Sequence, residues 1–202
     1  MRRFFLVVTA LITGAVAATT IVTAASAANK FFDPTTKRWV EYGSRLSHSG
    51  KSPIKREVVS YDGNYAPGTI VIDTAERRLY HVLENGKARK YGIGVGRDGF
   101  QWSGTHRVSR KAEWPGWTPP PAMRARAARN GQTLPAHMEG GPNNPLGARA
   151  MYIGSTIYRI HGSNEPWTIG GAVSSGCIRM ANEDVMHLYE NVEVGAKVVV
   201  QR

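Results

Sequence analysis

A cysteine and a histidine stand sixteen residues apart and could form a nucleophile with its base. Cys177 is the single cysteine of the chain and follows three small residues, Ser174-Ser175-Gly176. A thiol attacks as its thiolate and therefore needs a nearby base or a positive local field. His161 could accept the thiol proton and later return it to a leaving amine. The same spacing also suits a structural pair, with Cys177 as a small apolar residue of the core.

The residues around Cys177 suit acyl transfer. Small side chains next to a thiol let a substrate carbonyl approach and free backbone N–H groups for a developing oxyanion. A lone cysteine excludes an intrachain disulfide and the zinc sites built on several Cys ligands. The six histidines show no metal-ligand spacing, so we predict no metal and no cofactor.

The segments that must position these residues are predicted to be mainly β. Apolar runs predict strands over 69–73, 78–83, 87–95, 105–111, 151–153, 156–160 and 198–200. Asn85-Gly86 lies between two of these runs and predicts a hairpin, because both central residues of a type I′ turn need a positive φ. His161 then stands at the end of a strand.

One helix is predicted after the cysteine. Asn182 could cap it, and Val185, Leu188 and Val192 share one apolar helical face. Cys177 would then lie in a turn just before this helix.

A long insertion, residues 112–147, separates the predicted strands. It holds seven of the eleven prolines, and its one helix-like piece covers 121–129. Such a segment is usually a lid or a binding loop, although a rigid surface loop pinned by Trp114 and Trp117 fits as well. Arginines of the insertion and of the preceding strand could bind carboxylates or could simply form a solvated face.

The N-terminus predicts export. Arg2 and Arg3 precede an uncharged stretch that ends in Ala25-Ser26-Ala27, which is the pattern of a signal peptide over residues 1–27. An uncleaved anchor is the alternative, and it would be the only membrane contact. Residues 28–67 predict a surface extension of unknown role with little regular structure. The net charge of +11 then favours an extracytoplasmic polyanion such as a cell wall, and nucleic acid becomes improbable as a partner.

Several segments together resemble one enzyme family. His161-Gly-Ser-Asn with Ser174-Ser-Gly-Cys-Ile-Arg-Met is similar to the active-site signature of the L,D-transpeptidases, the YkuD or ErfK/YbiS group. Residues 68–73, 91–97, 113–117, 144–150 and 158–160 resemble the same family. The resemblance covers roughly residues 68–202, which we therefore expect to be the catalytic domain.

The resemblance implies a fold and a set of site residues. The fold would be the mainly β YkuD-type catalytic domain, a bent β-sheet sandwich with a lid insertion and one helix near the C-terminus. Cys177 would be the nucleophile, His161 its base, and the carbonyl of Gly162 would orient the histidine. Backbone N–H groups of Ser175, Gly176 and Cys177 would form the oxyanion hole. Many members have a histidine where this chain has Ser175, so no role of that histidine is carried over.

Three further residues are expected at the substrate. Arg179 could bind a stem carboxylate or form a structural salt bridge. Trp167 could line the cleft or serve only in packing. Tyr158 is included because its segment resembles the family.

The resemblance also implies the reaction. Cys177 would attack the third residue of a peptidoglycan tetrapeptide stem and release D-Ala, and an amine of a second stem would resolve the thioester into a 3→3 cross-link. The alternatives are a carboxypeptidase or endopeptidase that uses water, attachment of a wall-anchored lipoprotein through its lysine, and a non-catalytic wall-binding module. The protein would work in the periplasm or the cell wall.

Overall fold

A computed structural model of the chain describes residues 30–33, 38–41 and 51–202. The predicted signal peptide lies outside these residues. The strands are β1 (Lys30–Asp33), β2 (Arg38–Glu41), β3 (Glu57–Ser60), β4 (Ile70–Asp73), β5 (Arg78–Leu83), β6 (Lys87–Gly92), β7 (Val95–Gly96), β8 (Gly104–Glu113), β9 (Arg149–Ile153), β10 (Arg159–His161), β11 (Ala172–Ser174), β12 (Ile178–Arg179) and β13 (Lys197–Gln201). The helices are α1 (Pro121–Arg129) and α2 (Asn182–Glu190), and a 3₁₀ turn covers Pro166–Thr168.

Nine strands form one mixed sheet in the order β12-β10-β9-β8-β13-β4-β5-β6-β3. The β10–β12 and β13–β4 pairs are parallel, and the other neighbours in this sheet are antiparallel. Strands β7 and β11 form a separate parallel pair, and β1 and β2 form an antiparallel hairpin. The predicted mainly β class is confirmed.

The local signals in the sequence explain several of these elements. Asn85 and Gly86 have the positive φ values predicted for the turn, 59° and 64°, and three residues, 84–86, separate β5 from β6. Helix α1 has the predicted bounds, and proline at its first position needs no hydrogen-bonding N–H there.

The core lies between the sheet and α2. Alternate residues of the central strands, including Ile70, Ile72 and Ile153, are fully buried. Helix α2 covers them with Val185 and Leu188, which are also fully buried. The predicted apolar helical face therefore fixes α2 against the strands that lead to the site.

Several sequence expectations differ from the structure. The strand predicted over 156–160 is β10 at Arg159–His161. Residues 57–60 of the expected irregular extension form β3 at the sheet edge, where exposed positions such as Val58 hide the strand pattern. A two-residue strand, β12, stands between Cys177 and α2. Asn182 is the first residue of α2, and Ala181 stands at the cap position. The Oδ1 of Asn182 accepts the backbone N–H of Ala148 at 2.9 Å.

Within residues 51–202 and the two short strands before them, neither helix is long and apolar enough to cross a bilayer.

Candidate active site

The pairing of β10 with β12 brings the predicted catalytic residues to one face of the sheet. Ile160 lies opposite Ile178, and both are buried in the core. Because side chains alternate along a strand, the flanking residues project to the other face. Those residues are Arg159, His161, Cys177 and Arg179.

All four of these side chains line one cleft. It encloses about 390 Å³ and is also lined by Tyr158, Ile157 and Ser175. From the insertion, Trp117, Met123 and Met138 contribute apolar side chains to the same cleft. The structure therefore places Cys177 and His161 in one cavity with the insertion beside them.

His161 is held as a neutral base. Its Nδ1 lies 2.6 Å from the carbonyl oxygen of Gly162. Since a carbonyl only accepts, Nδ1 carries the proton of the neutral imidazole, and Nε2 is the basic nitrogen. Burial, with the nearby charge of Arg179, lowers the pKa of His161 to about 3, while hydrogen bonds with the backbone of Gly162 and of Leu146 act in the opposite direction. Gly162 thus has the position predicted for the carbonyl that orients the histidine.

Cys177 is a partly buried thiol. Burial raises its pKa, while hydrogen bonds and charge from Arg159 act in the opposite direction. Its Sγ lies 4.0 Å from the carbonyl oxygen of Ile157. A neutral thiol beside a neutral imidazole requires proton transfer during attack.

The turn before Cys177 is fixed by side-chain hydrogen bonds. Ser174 Oγ donates to the carbonyl of Cys177 at 2.6 Å and accepts the N–H of Gly176 at 3.0 Å. The indole N–H of Trp102 donates to the carbonyl of Gly176 at 2.7 Å. Trp102 also stacks on Tyr158, with ring centroids 4.4 Å apart and planes 5° apart.

These bonds correct one member of the predicted oxyanion hole. The N–H of Gly176 is already bonded to Ser174 and is not free for a substrate oxygen. Within residues 51–202, the N–H groups of Ser175 and Cys177 have no such hydrogen bond. The oxyanion role of these two groups stays a prediction.

The insertion contacts the catalytic turn directly. Arg126 of α1 donates to Ser175 Oγ at 3.3 Å, and its guanidinium lies 5.0 Å from the centre of the Phe100 ring. Buried Asn144 donates to the carbonyls of Met138 and Glu139 and so pins the far end of the insertion. The insertion is therefore pinned internally by Asn144 and lines the cleft, and a role as a lid or a binding loop stays a prediction.

The three predicted substrate residues have different surroundings. Tyr158 lines the cleft and packs on Gly176. Arg179 lines it too, but it forms a salt bridge of 3.0 Å with Glu165. Trp167 is not among the residues that line the cleft, and its side chain is 55% exposed on the 3₁₀ turn. Substrate contact by any of them stays a prediction.

Sequence reasoning missed two residues of the site. Arg159 stands two positions before His161, so strand alternation could have placed it on the same face. Trp102 lies in the loop before β8 and gives no signal of its contact with Gly176, 74 residues away. In residues 51–202, no three His, Cys, Asp or Glu side chains cluster as metal ligands would.

The low pKa of His161 predicts a pH-dependent stability. Between pH 6.5 and about 3 the unfolded histidine binds a proton that the folded one does not, so acidification lowers the free energy of unfolding. Between pH 7 and pH 5, the free energy of unfolding should fall by about 2 kcal/mol more in the native chain than in His161→Gln. Urea unfolding of both proteins at the two pH values measures this difference. Equal losses in the two proteins would contradict it.

The use of the His161→Gln reference removes the contribution of Asp184. Burial raises the pKa of that carboxyl to about 6, which favours the folded state on acidification. Both proteins keep Asp184, so its effect cancels in the comparison.

Comparison with known proteins identifies the family of the chain. A family model described as the L,D-transpeptidase catalytic domain, YkuD, matches residues 67–200. The chain is 43% identical over 136 residues to "Probable L,D-transpeptidase ErfK/SrfK" of Escherichia coli K12 and 42% identical over 134 residues to "Probable L,D-transpeptidase YbiS" of the same strain. These matches cover 65% and 64% of this chain but only 43% of each relative.

A solved structure is also similar. It is described as a "Probable carnitine operon oxidoreductase caia" from Brucella melitensis, with 46% identity and a TM-score of 0.50. The match covers 75% of this chain and 96% of that one. Since the family model covers well over half of the residues, the chain belongs to the YkuD family, the L,D-transpeptidase catalytic domains.

Proposed function

We propose that this protein is an exported L,D-transpeptidase that cross-links peptidoglycan stems through a thioester on Cys177. The observation that carries the proposal is the shared face of β10 and β12, which sets Cys177 and His161 in one cleft. The Nδ1–H bond to Gly162 leaves Nε2 of the histidine as the proton acceptor.

The first half of the reaction releases D-Ala. Cys177 Sγ attacks the carbonyl of the third stem residue while His161 Nε2 takes the thiol proton. The N–H groups of Ser175 and Cys177 stabilise the oxyanion. When the intermediate collapses, the C–N bond breaks and the imidazolium gives its proton to the amine of the departing D-Ala.

The second half restores the enzyme. An acceptor amine attacks the thioester carbonyl and loses a proton to His161. The C–S bond then breaks, and the imidazolium returns its proton to the leaving thiolate of Cys177. An amine on a second stem gives the 3→3 cross-link, whereas water would give hydrolysis and a lipoprotein lysine would give attachment of that lipoprotein. The neutral His161 suits both halves because it starts each one as a base.

The charge of the chain supports a wall substrate. The net charge is +11, and the cleft itself contains Arg159 and Arg179. Cell-wall stems carry carboxylates, which guanidinium groups bind well. The predicted signal peptide would deliver the enzyme to the periplasm or the cell wall.

The oxidoreductase name of the Brucella structure does not suit the fold described above. Dinucleotide sites in open α/β sheets lie at the carboxyl ends of parallel strands that alternate with helices. The large sheet in this chain is mostly antiparallel, and only two α-helices occur in the described residues. The cleft contains a thiol and an imidazole, and these side chains suit acyl transfer.

Acylation by a carbapenem tests the nucleophile. Incubation of the purified protein with a carbapenem should add one drug mass per chain, since this class of β-lactam acylates the family. The adduct should be absent in Cys177→Ala, while a variant at Val194, which is 58% exposed and does not line the cleft, such as Val194→Ala should keep it. A well-folded protein that forms no adduct would refute the proposed nucleophile.

Stem peptides separate the remaining functions. With a tetrapeptide stem as donor, mass spectrometry should detect free D-Ala together with a cross-linked dimer. D-Ala with a tripeptide alone would establish the hydrolase instead. If neither product forms and the protein still pellets with sacculi, the wall-binding alternative holds.

A further inference from the structure

We infer that Arg159 binds a carboxylate of the stem peptide beside the scissile bond and thereby restricts the enzyme to stems in which that carboxylate is free. This inference rests on the proposed function and assigns a specificity-determining residue within it.

The position of Arg159 next to the nucleophile follows from the strand register. Ile160 pairs with Ile178, so the preceding residues, Arg159 and Cys177, are also neighbours across the two strands. Both line the cleft. A group bound to the guanidinium therefore lies within a few bonds of the carbonyl that Cys177 attacks.

The side chain of Arg159 hydrogen-bonds the Cys177 thiol, and its charge remains available to a carboxylate. Arg179, the other guanidinium in this part of the cleft, is already paired with Glu165 at 3.0 Å. Across residues 51–202, Arg159 has no carboxylate partner. Its Nε is shielded from solvent and has no hydrogen bond, and an unpaired buried donor of this kind is costly unless a ligand completes it.

Aromatic packing holds the guanidinium in place before substrate arrives. Arg159 lies 5.1 Å from the centre of the Tyr152 ring, and Arg110 lies 3.7 Å from the same ring. Cation–π contacts with one ring restrict the side-chain freedom of Arg159. A carboxylate can then bind with little loss of conformational entropy.

Two carboxylates of the donor stem could fill this position. One is the terminal carboxylate of the departing D-Ala, and the other is the side-chain carboxylate of a diamino acid at the third position. Both offer two oxygens to a guanidinium. Amidation of each in turn identifies the source.

The test compares three tetrapeptide donors with native enzyme, Arg159→Gln and Arg159→Lys. The donors have both carboxylates free, the side-chain carboxylate amidated, or the terminal carboxylate amidated, and D-Ala or D-alaninamide release is followed. For the recognised carboxylate, amidation should raise KM of the native enzyme about 10- to 100-fold. Arg159→Gln should raise KM for the free donor by a similar factor and remove the preference. Arg159→Lys should retain part of it, because an ammonium keeps the charge but not the bidentate geometry.

Arg110→Gln is the matched control. It removes a guanidinium from the same tyrosine ring but from a residue outside the cleft lining, so the donor preference should persist. A native enzyme that processes all three donors equally overturns the inference and leaves the proposed function intact. An Arg159→Gln variant that lowers kcat equally on all donors, with the preference unchanged, also overturns it, because the arginine would then act only on the thiol. Absence of D-Ala release from every donor would refute the proposed function itself.

Discussion

Replacing His161 with glutamine should slow acylation of Cys177 by a carbapenem about 10²- to 10⁴-fold, the range that a positioned general base contributes. The thiol pKa is raised by burial, so little thiolate exists at neutral pH without a proton acceptor. Glutamine fills a similar volume but cannot accept and return the proton. Stopped-flow or intact-mass kinetics at pH 7 would measure the acylation rate.

His187→Gln is the control for this result. His187 also has a lowered pKa caused by burial, and it hydrogen-bonds the hydroxyl of Tyr91 at 2.9 Å. It lies on α2 and does not line the cleft, so its replacement should leave acylation within a few-fold of native. A His161→Gln enzyme that acylates as fast as His187→Gln would exclude His161 as the base.

Replacing Gly176 with alanine should lower the acylation rate about 100-fold or more. Gly176 has a φ of +108°, where an L-residue is strained by about 1–2 kcal/mol. A Cβ at this position would also collide with the ring of Tyr158, which Trp102 holds in place by stacking. The turn must shift, and the N–H groups of Ser175 and Cys177 would leave the positions proposed for binding the oxyanion.

Gly195→Ala separates strain from collision. Gly195 has a similar φ of +96°, but a Cβ there would meet no atom within 4 Å. Both variants should lose stability in urea unfolding, and only Gly176→Ala should lose acylation. Equal acylation by the two variants would show that the Tyr158 contact does not position the turn.

The elements that carry the candidate site residues were predictable from the sequence because their signals are local, whereas the chemistry was implied only by the family resemblance. His161 at the end of a strand and Cys177 after small residues are one-dimensional patterns, and the same is true of the Asn85-Gly86 turn and of α1. Each depends on side-chain type and on neighbours within a few positions. The structure confirmed the elements at these positions.

The parts that sequence reasoning missed depend on contacts between distant segments. Trp102 reaches Gly176 across 74 residues, and neither residue indicates the other. The edge strand β3 has only one half-buried side chain among four, so no alternation marked it. The hydrogen bond from the Gly176 N–H to Ser174 Oγ depends on the geometry of the turn, which residue types alone do not indicate.

Contacts between distant segments also fix the backbone around the catalytic histidine. Asn182 begins α2, and its amide oxygen accepts the N–H of Ala148 while it occupies the space where a Cβ of Gly147 or Gly162 would stand. Gly162 supplies the carbonyl that orients His161. A Cβ at Gly147 would also meet the backbone of Ser163 and Gly162, and one at Gly162 would meet the backbone of Ala148. A smaller residue at position 182 would therefore not by itself make room for a side chain, and the backbone that orients His161 depends on glycine at both positions.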